Sequence, residues 1–307
     1  MAKYKSPEDF SSLFELMDYF KDEQTCLGYL AEQRWPDGIE CPHCYHTKVY
    51  VLNGKVKRYK CGICRKQFTA KANTIFEDSK LPLRKWFAAI YLLLAHRKGI
   101  SSYQLARDIK VTQKTAWFLA QRIRHAIKQG SFAKKLDGVV ESDETFVGGK
   151  NKNRHADKKV KNNQGRSFKD KTPVLGLVQR GGELRAFVVP NTKMEVLVPI
   201  ILANVEQGSK LMTDEWYSPI NGYEHSIVMH SAKQYVNGDA HTNTLEGFWA
   251  LLKRSIIGIY HKVSPKHLQR YVDEAVYRYN TKHLTDGHKA LILLTIVNGS
   301  LKYKQLV

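Results

Sequence analysis

Long hydrophobic runs are absent from this chain of 307 residues, and acidic side chains are scarce. The longest apolar runs, Phe87 to Ala95 and Leu197 to Val205, are too short to span a bilayer. The first residues lack the apolar core of a signal peptide, so we expect neither an exported nor a membrane protein. Only 29 residues are acidic against 49 basic ones, and the resulting charge of +20 indicates a polyanionic partner.

Cysteines are also few, five in all, and four of them form two close pairs with the spacing C-x2-C-x16-C-x2-C. The pairs are Cys41-Pro-His-Cys44 and Cys61-Gly-Ile-Cys64. Each pair can direct two thiolates at one ion, and a strand–turn–strand pattern lies between them, which predicts a zinc ribbon with a structural Zn2+. Two disulfides of a small secreted module are the alternative, and His43 is a weaker ligand candidate than the thiolates. Zinc-bound thiolates favour a reducing compartment.

The hydrophobic pattern changes from helical to strand-like near residue 131, which predicts an α+β fold with several domains. We expect N-terminal helices over 1–38, the zinc ribbon over 39–70 and a helix-turn-helix-like region over 81–130. The remainder, 131–307, reads as three antiparallel strands, a helix, two strands and further helices. This order fits a ribonuclease H-like core, although other αβ folds share parts of it. A basic insertion at 150–171 is expected to be a loop, either on a phosphate backbone or simply solvated.

Residues 101–124 resemble a helix-turn-helix, with an apolar face on the first helix and a turn at Val111-Thr112. The second helix of such a motif can enter the major groove of DNA. An ordinary helical hairpin with a solvated basic face would give the same pattern. The side chains expected to contact DNA are Lys114, Thr115, Gln121 and Arg122, with Arg124 beside them.

Three acidic residues occur where a metal site could form. Asp143 lies within an apolar strand, Asp214 ends a short strand, and Glu246 lies in the first turn of a long helix. Helical periodicity places Asn243, Glu246 and Lys253 on one stripe, apart from the apolar stripe that would pack on the sheet. Such oxygen ligands suit Mg2+ or Mn2+, and two such ions about 4 Å apart can catalyse phosphoryl transfer. Ordinary surface acids are the alternative.

Taken in order, several segments resemble the DDE-type transposases of bacterial insertion sequences, the group with an N-terminal zinc ribbon and a ribonuclease H-like catalytic domain. The matching segments are 41–44, 61–68, 141–149, 213–216, 241–253, 258–271 and 278–280. The resemblance implies that Asp143 and Asp214 are catalytic metal ligands and that Lys253 steadies a phosphate. The third ligand would be Glu246 or Asn243, and we favour Glu246 because an anion binds Mg2+ more strongly than an amide.

The resemblance further implies a transposase that binds terminal inverted repeats and cleaves phosphodiester bonds with two metal ions. It would then join the freed 3′-hydroxyl ends to target DNA, self-associate on DNA, and work in the bacterial cytoplasm on the nucleoid. Zinc would be structural. Two alternatives remain: a metal-dependent nuclease or resolvase without strand transfer, and a zinc-ribbon DNA-binding regulator whose carboxylates are structural.

Overall fold

The computed structural model describes residues 9–52, 54, 56–129, 134–148, 155–159, 171–214, 219–228 and 242–307. The chain forms two compact units, the first comprising residues 1–130 with 281–307 and the second residues 131–280. The second unit thus begins at residue 131 and ends at residue 280, whereas the sequence analysis extends the catalytic domain to residue 307. The predicted basic insertion at 150–171 lies mostly outside the described residues.

The C-terminal segment belongs to the first unit because its last helix is amphipathic and packs there. This helix, Asp286–Thr295, buries Leu293 and Leu294 and packs on the helix Leu83–Ala95. The described helices of the first unit are α1 (Leu13–Tyr19), α2 (Glu23–Arg34), α3 (Leu83–Ala95), α4 (Ser102–Asp108), α5 (Gln113–Gln129) and α9 (Asp286–Thr295).

The helix-turn-helix-like pair α4–α5 forms as the sequence predicts. Ser101 caps α4, its hydroxyl accepting the Gln104 N–H at 3.1 Å, and the Thr112 hydroxyl accepts the Thr115 N–H at 3.2 Å. Lys110 adopts a left-handed φ of 51° between the two helices. The chain therefore reverses over a short turn and packs the apolar face of α4 on α5.

Two of the side chains expected to contact DNA are buried inside this unit, which corrects the sequence prediction. Gln121 is 0 % exposed and Arg122 6 % exposed, and the neighbouring Arg124 is also buried, at 2 %. The Arg122 guanidinium donates to the Glu77 carbonyl at 2.7 Å and lies over the rings of Trp86 and Phe118. Since neither side chain faces solvent, neither can reach a base or a phosphate in this conformation.

The segment between α2 and α3 forms the expected hairpin, β1 and β2, and adds a short third strand, so the antiparallel sheet has the order β1-β2-β3. Tyr59 on the middle strand is buried against Trp35 and Phe68, so this sheet has an aromatic core of its own. The strands are β1 (Val49–Leu52), β2 (Arg58–Cys61) and β3 (Gln67–Phe68).

The second unit is built on a five-stranded mixed sheet in the order β6-β5-β4-β7-β8. The first three strands in sequence form an antiparallel meander, whereas β7 runs parallel to β4 and β8 parallel to β7. This topology is that of a ribonuclease H-like core and confirms the expected fold class. The strands are β4 (Val139–Gly148), β5 (Lys171–Gln179), β6 (Leu184–Val188), β7 (Lys210–Asp214) and β8 (Glu224–Val228).

Helices cover both faces of this sheet, because alternate residues of its central strands are apolar on each side. On β5, Leu175 and Leu177 share one core with α6 (Met194–Asn204). Val174 and Val178 share the opposite core with α7 (Asn243–Ser255) and α8 (Pro265–Asn280). The candidate acidic residue of β4 belongs to the face covered by α7.

Candidate active site and metal centre

The four paired cysteines of the first unit converge on one point. The ligand atoms of Cys41, Cys44, Cys61 and Cys64 all lie within 4.8 Å of one another. The Sγ atoms of Cys41 and Cys64 are 3.7 Å apart, and those of Cys44 and Cys61 are 3.6 Å apart. Four sulfurs about 2.3 Å from one Zn2+ stand about 3.8 Å apart in a tetrahedron. The cluster therefore has the composition and the spacing of a structural zinc site.

Each cysteine pair lies on a tight turn whose backbone is specialised for this role. Tyr45 and Arg65, the residues that follow the two pairs, have left-handed φ angles of 59° and 58°. The N–H groups of Ile63 and Cys64 both point at the Cys61 sulfur from 3.4 Å. These donors stabilise a thiolate and so favour metal ligation. His43 instead lies edge-on to Phe68 with ring centroids 6.3 Å apart, and it is outside the cluster.

In the second unit, Asp143 lies on the central strand β4 and faces α7. The Trp249 indole N–H donates to Asp143 Oδ2 at 3.0 Å. Trp249 itself is 4 % exposed and belongs to the apolar stripe that the sequence predicts for this helix. The position of Trp249 on that stripe predicts packing alone, and no sequence pattern indicates its polar contact with the candidate metal ligand.

Glu141, two residues before Asp143 on the same face of β4, was also missed. Its carboxylate is completely buried and accepts the N–H groups of Thr244 and Leu245 at 3.1 and 3.3 Å, and the Thr244 hydroxyl at 3.0 Å. Arg180 donates to the same carboxylate at 3.0 Å. No hydrogen bond from the N-cap side chain, Thr242, caps α7. Glu141 therefore supplies the cap and ties the first turn of α7 to β4.

The exposed side of α7 carries the other candidate residues. Asn243 and Glu246 are both exposed. Lys253 is also solvent-accessible, yet surrounding protein atoms partly desolvate its ammonium group and lower its pKa. The Asp143 carboxylate opposes this shift in the Lys253 pKa, whereas the Lys171 charge adds to it. Lys253 thus lies within electrostatic reach of Asp143.

Asp214 is the last residue of β7, and the structure does not describe its side chain. The backbone pairing of β4 with β7 is parallel and matches Val139 with Lys210 and Glu141 with Met212. The recorded pairing ends at Glu141 and Met212, two residues before each aspartate. The backbones of positions 143 and 214 therefore lie on adjacent, parallel strands.

Known proteins share both parts of the chain. Residues 135–280 match the family model of the ISXO2-like transposase domain, and residues 21–67 match the transposase zinc-ribbon domain. A protein of Halobacterium salinarum, described as an uncharacterized protein in transposable element ISH50, is 32% identical over 249 residues. That alignment covers 76% of this chain and 83% of the relative.

The chain belongs to the ISXO2-like transposase family. The transposase domain model ends where the second unit ends, and the zinc-ribbon model encloses all four clustered cysteines. Among solved structures, the Mos1 strand transfer complex is 14% identical and covers 69% of this chain and 81% of that chain, with a TM-score of 0.21. No helix among the described residues of this transposase combines the length and apolar character needed to cross a membrane.

Proposed function

We propose that this transposase binds the terminal inverted repeats of its insertion sequence, cleaves phosphodiester bonds there and joins the 3′-hydroxyl ends to target DNA. Asp143, Asp214 and Glu246 would form one acidic pocket on the α7 side of the sheet. The observation that carries the proposal is the connection between β4 and α7, because Trp249 and Lys253 both interact with Asp143. Membership of a transposase family supports DNA as the substrate.

Glu246 fits the third position better than Asn243, as helical geometry argues. At about 100° per residue, Glu246 lies about 20° from Lys253 and about 60° from Trp249 around the helix axis. Asn243 lies about 120° from Trp249 on the same projection. Glu246 therefore lies beside Lys253 on the projection, whereas Asn243 lies farther round the helix from both Lys253 and Trp249.

Carboxylate oxygens from two strands and a helix are the ligands that Mg2+ prefers. When bound, the ions would activate the attacking oxygen and stabilise the leaving one. The protein's own side chains have separate tasks. Lys253 would hold a phosphate beside the acids, and Glu141 would keep the first turn of α7, with Glu246, in register with β4.

The zinc ribbon and the α4–α5 pair would recognise DNA, with Lys114 and Thr115 as the exposed contacts near the start of α5. The net charge of +20 would strengthen binding to the DNA backbone. We further propose that the chain self-associates on DNA, since two element ends must be joined to one target. The reaction would take place in the cytoplasm, on the nucleoid.

Cleavage and joining of a defined DNA tests this function. Full-length protein would be incubated with duplexes carrying the repeats that flank its gene, with and without Mg2+, and with pre-cut ends bearing a 3′-hydroxyl. We expect Mg2+-dependent cleavage and joined product, and loss of both by about a hundredfold or more in Asp143→Asn, with DNA binding retained.

Glu195→Gln, an exposed acid on the opposite helical layer, is the matched control and should retain activity. Cleavage without joining would instead identify a nuclease or resolvase. Full biological activity of Asp143→Asn would identify a DNA-binding regulator with structural carboxylates.

A further inference from the structure

Trp249 lies on the apolar stripe of α7. Within the described part of that stripe, its indole N–H is the one side-chain group that donates a hydrogen bond to a candidate metal ligand. Its neighbours on that stripe, Leu245, Phe248 and Leu252, offer no polar side-chain atom. The tryptophan side chain can donate but cannot accept a hydrogen bond, and here it donates to Asp143 Oδ2 at 3.0 Å. A hydrogen bond to a carboxylate is stronger than one between neutral groups.

Gly176 creates the space in which the indole reaches Asp143. This glycine lies directly opposite Asp143 in the β4–β5 register and faces α7. A methyl group on Gly176 would lie 2.5 Å from Trp249 Cζ2 and 2.8 Å from Leu245 Cδ2. Any other residue at this position would displace the indole from the sheet. The indole on α7 therefore fills the space that β5 leaves open at Gly176, where there is no side chain.

We propose that Trp249 is a positioning residue, seated on Gly176, that sets the orientation in which Asp143 presents its carboxylate to a divalent cation. The inference rests on the proposed function, because it needs Asp143 to be a metal ligand. Partners that hydrogen-bond to metal-ligating carboxylates fix ligand orientation, and their loss costs about 10- to 100-fold in metal affinity or activity.

The chemistry of the contact suits a small cation. A carboxylate has two oxygens and about four lone-pair sites, so an oxygen that accepts an indole N–H leaves the group able to bind metal. Because Oδ2 is engaged by Trp249, ligation through a single oxygen is favoured over bidentate ligation. Mg2+ demands near-ideal octahedral geometry, whereas Ca2+ accepts bidentate carboxylates in flexible shells. Trp249 therefore favours Mg2+ and Mn2+ over Ca2+ at this site.

The test removes the indole N–H of Trp249 and keeps an aromatic ring at this position. Trp249→Phe in the full-length protein retains an aromatic side chain, and a tryptophan analogue with sulfur in place of the indole nitrogen retains the full shape. Cleavage of terminal-repeat DNA would be measured over a Mg2+ titration, and Mn2+ binding would be measured separately by electron paramagnetic resonance. We expect both changes to raise the half-saturating Mg2+ concentration and to weaken Mn2+ binding by about tenfold, with DNA binding unchanged.

Two glycine substitutions provide a matched pair. Gly176→Ala should weaken Mn2+ binding in the same direction, because the added methyl group displaces the indole. Gly258→Ala adds a methyl group that meets nothing within 4 Å and should titrate like the unmodified protein. If Trp249→Phe fails to fold, the sulfur analogue decides the question, because its shape is that of tryptophan.

The outcomes separate this inference from the proposed function. If the N–H-deficient variants bind Mn2+ and respond to Mg2+ like the unmodified protein while Asp143→Asn loses both, the positioning role of Trp249 is refuted and the active site stands. If Asp143→Asn also retains metal binding and cleavage, the proposed function fails and the inference fails with it.

Discussion

Two basic residues on α5 have opposite environments, and they should respond differently to substitution. Lys114 is exposed near the start of the helix, whereas Arg122 is buried with its guanidinium on the Glu77 carbonyl. Burial lowers the Arg122 pKa, although the nearby acids Glu77 and Asp78 oppose that shift. A charge on the surface of α5 and a charge buried beside it in the core therefore differ in role.

Lys114→Ala should weaken DNA binding with little change in stability. Removal of one phosphate contact reduces the slope of log affinity against log salt by about 1. The measurement is a DNA-binding titration at several salt concentrations, and an unchanged slope would remove Lys114 from the interface.

Arg122→Ala should leave the salt slope unchanged and destabilise the first unit by about 2–3 kcal/mol. The loss combines a buried hydrogen bond from a charged group with contacts to two aromatic rings. Chemical denaturation measures the effect. A fully stable Arg122→Ala that binds DNA less well would contradict the burial of this side chain.

The sequence predicted local features of residues well and their distant partners poorly. The zinc ligands were evident because thiolate spacing alone defines the site. Arg122 was misassigned because its partners, Glu77 and Trp86, come from other segments, and a buried guanidinium has the same sequence signature as an exposed one. Glu141 was overlooked because its partners Thr244 and Leu245 lie about a hundred residues away. The sequence did contain one indication, because Glu141 is a second acid on the same strand face as Asp143.

At the scale of elements, α7 depends on β4 for its N-terminal cap. Glu141→Ala would leave the N–H groups of Thr244 and Leu245 and the Arg180 guanidinium without this acceptor. We expect a loss of about 3 kcal/mol in the stability of the second unit, because one partner of a buried ionic network is removed. Urea denaturation measures the loss.

Glu224→Gln, at an exposed acid paired with Lys210 at 3.8 Å, is the control and should change stability by less than about 0.5 kcal/mol. An equal effect of the two substitutions would contradict the capping role.

The zinc ribbon should depend on its metal for folding. A small three-stranded sheet has little core, and metal binding supplies folding free energy in such modules. Chelation, or Cys61→Ser, should release one zinc per chain and unfold residues 41–68, while the second unit remains folded. A colorimetric zinc assay and proteolysis of the ribbon report both effects.

The control is Cys26→Ala, at the buried cysteine outside the cluster. This variant protein should keep its bound zinc. A metal-free protein with an intact ribbon would contradict the structural role.

The helices and strands could be predicted from sequence periodicity, but the way in which they pack together could not. The strand–helix order of the second unit and the α4–α5 pair both agree with the sequence analysis. Each is encoded by spacing within some twenty residues. The pairing of β4 with β7 is not encoded in this way, because contacts between distant segments leave no local pattern.

At the scale of the whole molecule, the C-terminal segment completes the core of the first unit. The α9 helix buries Leu293 and Leu294 against α3, and the Ile75 N–H donates to the Val297 carbonyl at 2.9 Å. The predicted catalytic domain extended to 307 because helical periodicity continues past residue 280. Nothing in a periodic pattern identifies the unit on which a helix packs.

A chain that ends at residue 280 should therefore lose stability in the first unit and keep a folded second unit. Removal of α9 exposes the apolar face of α3, and we expect rapid proteolysis within residues 1–130 while the fragment around 134–280 resists. Limited proteolysis with mass spectrometry makes the comparison. Protection of both units in the shortened chain would show that residues 281–307 are dispensable for folding.

The central claim is that Asp143, Asp214 and Glu246 share one divalent-cation pocket. Iron(II) bound in place of Mg2+ reduces added hydrogen peroxide to hydroxyl radicals that cut the nearby backbone, ascorbate returns iron(III) to iron(II), and sequencing of the fragments maps the ligands. We predict cuts near residues 143, 214 and 246, all suppressed together by excess Mg2+ and all lost in Asp143→Asn. Cuts at only one of these positions, or cuts that persist in excess Mg2+, would contradict the account.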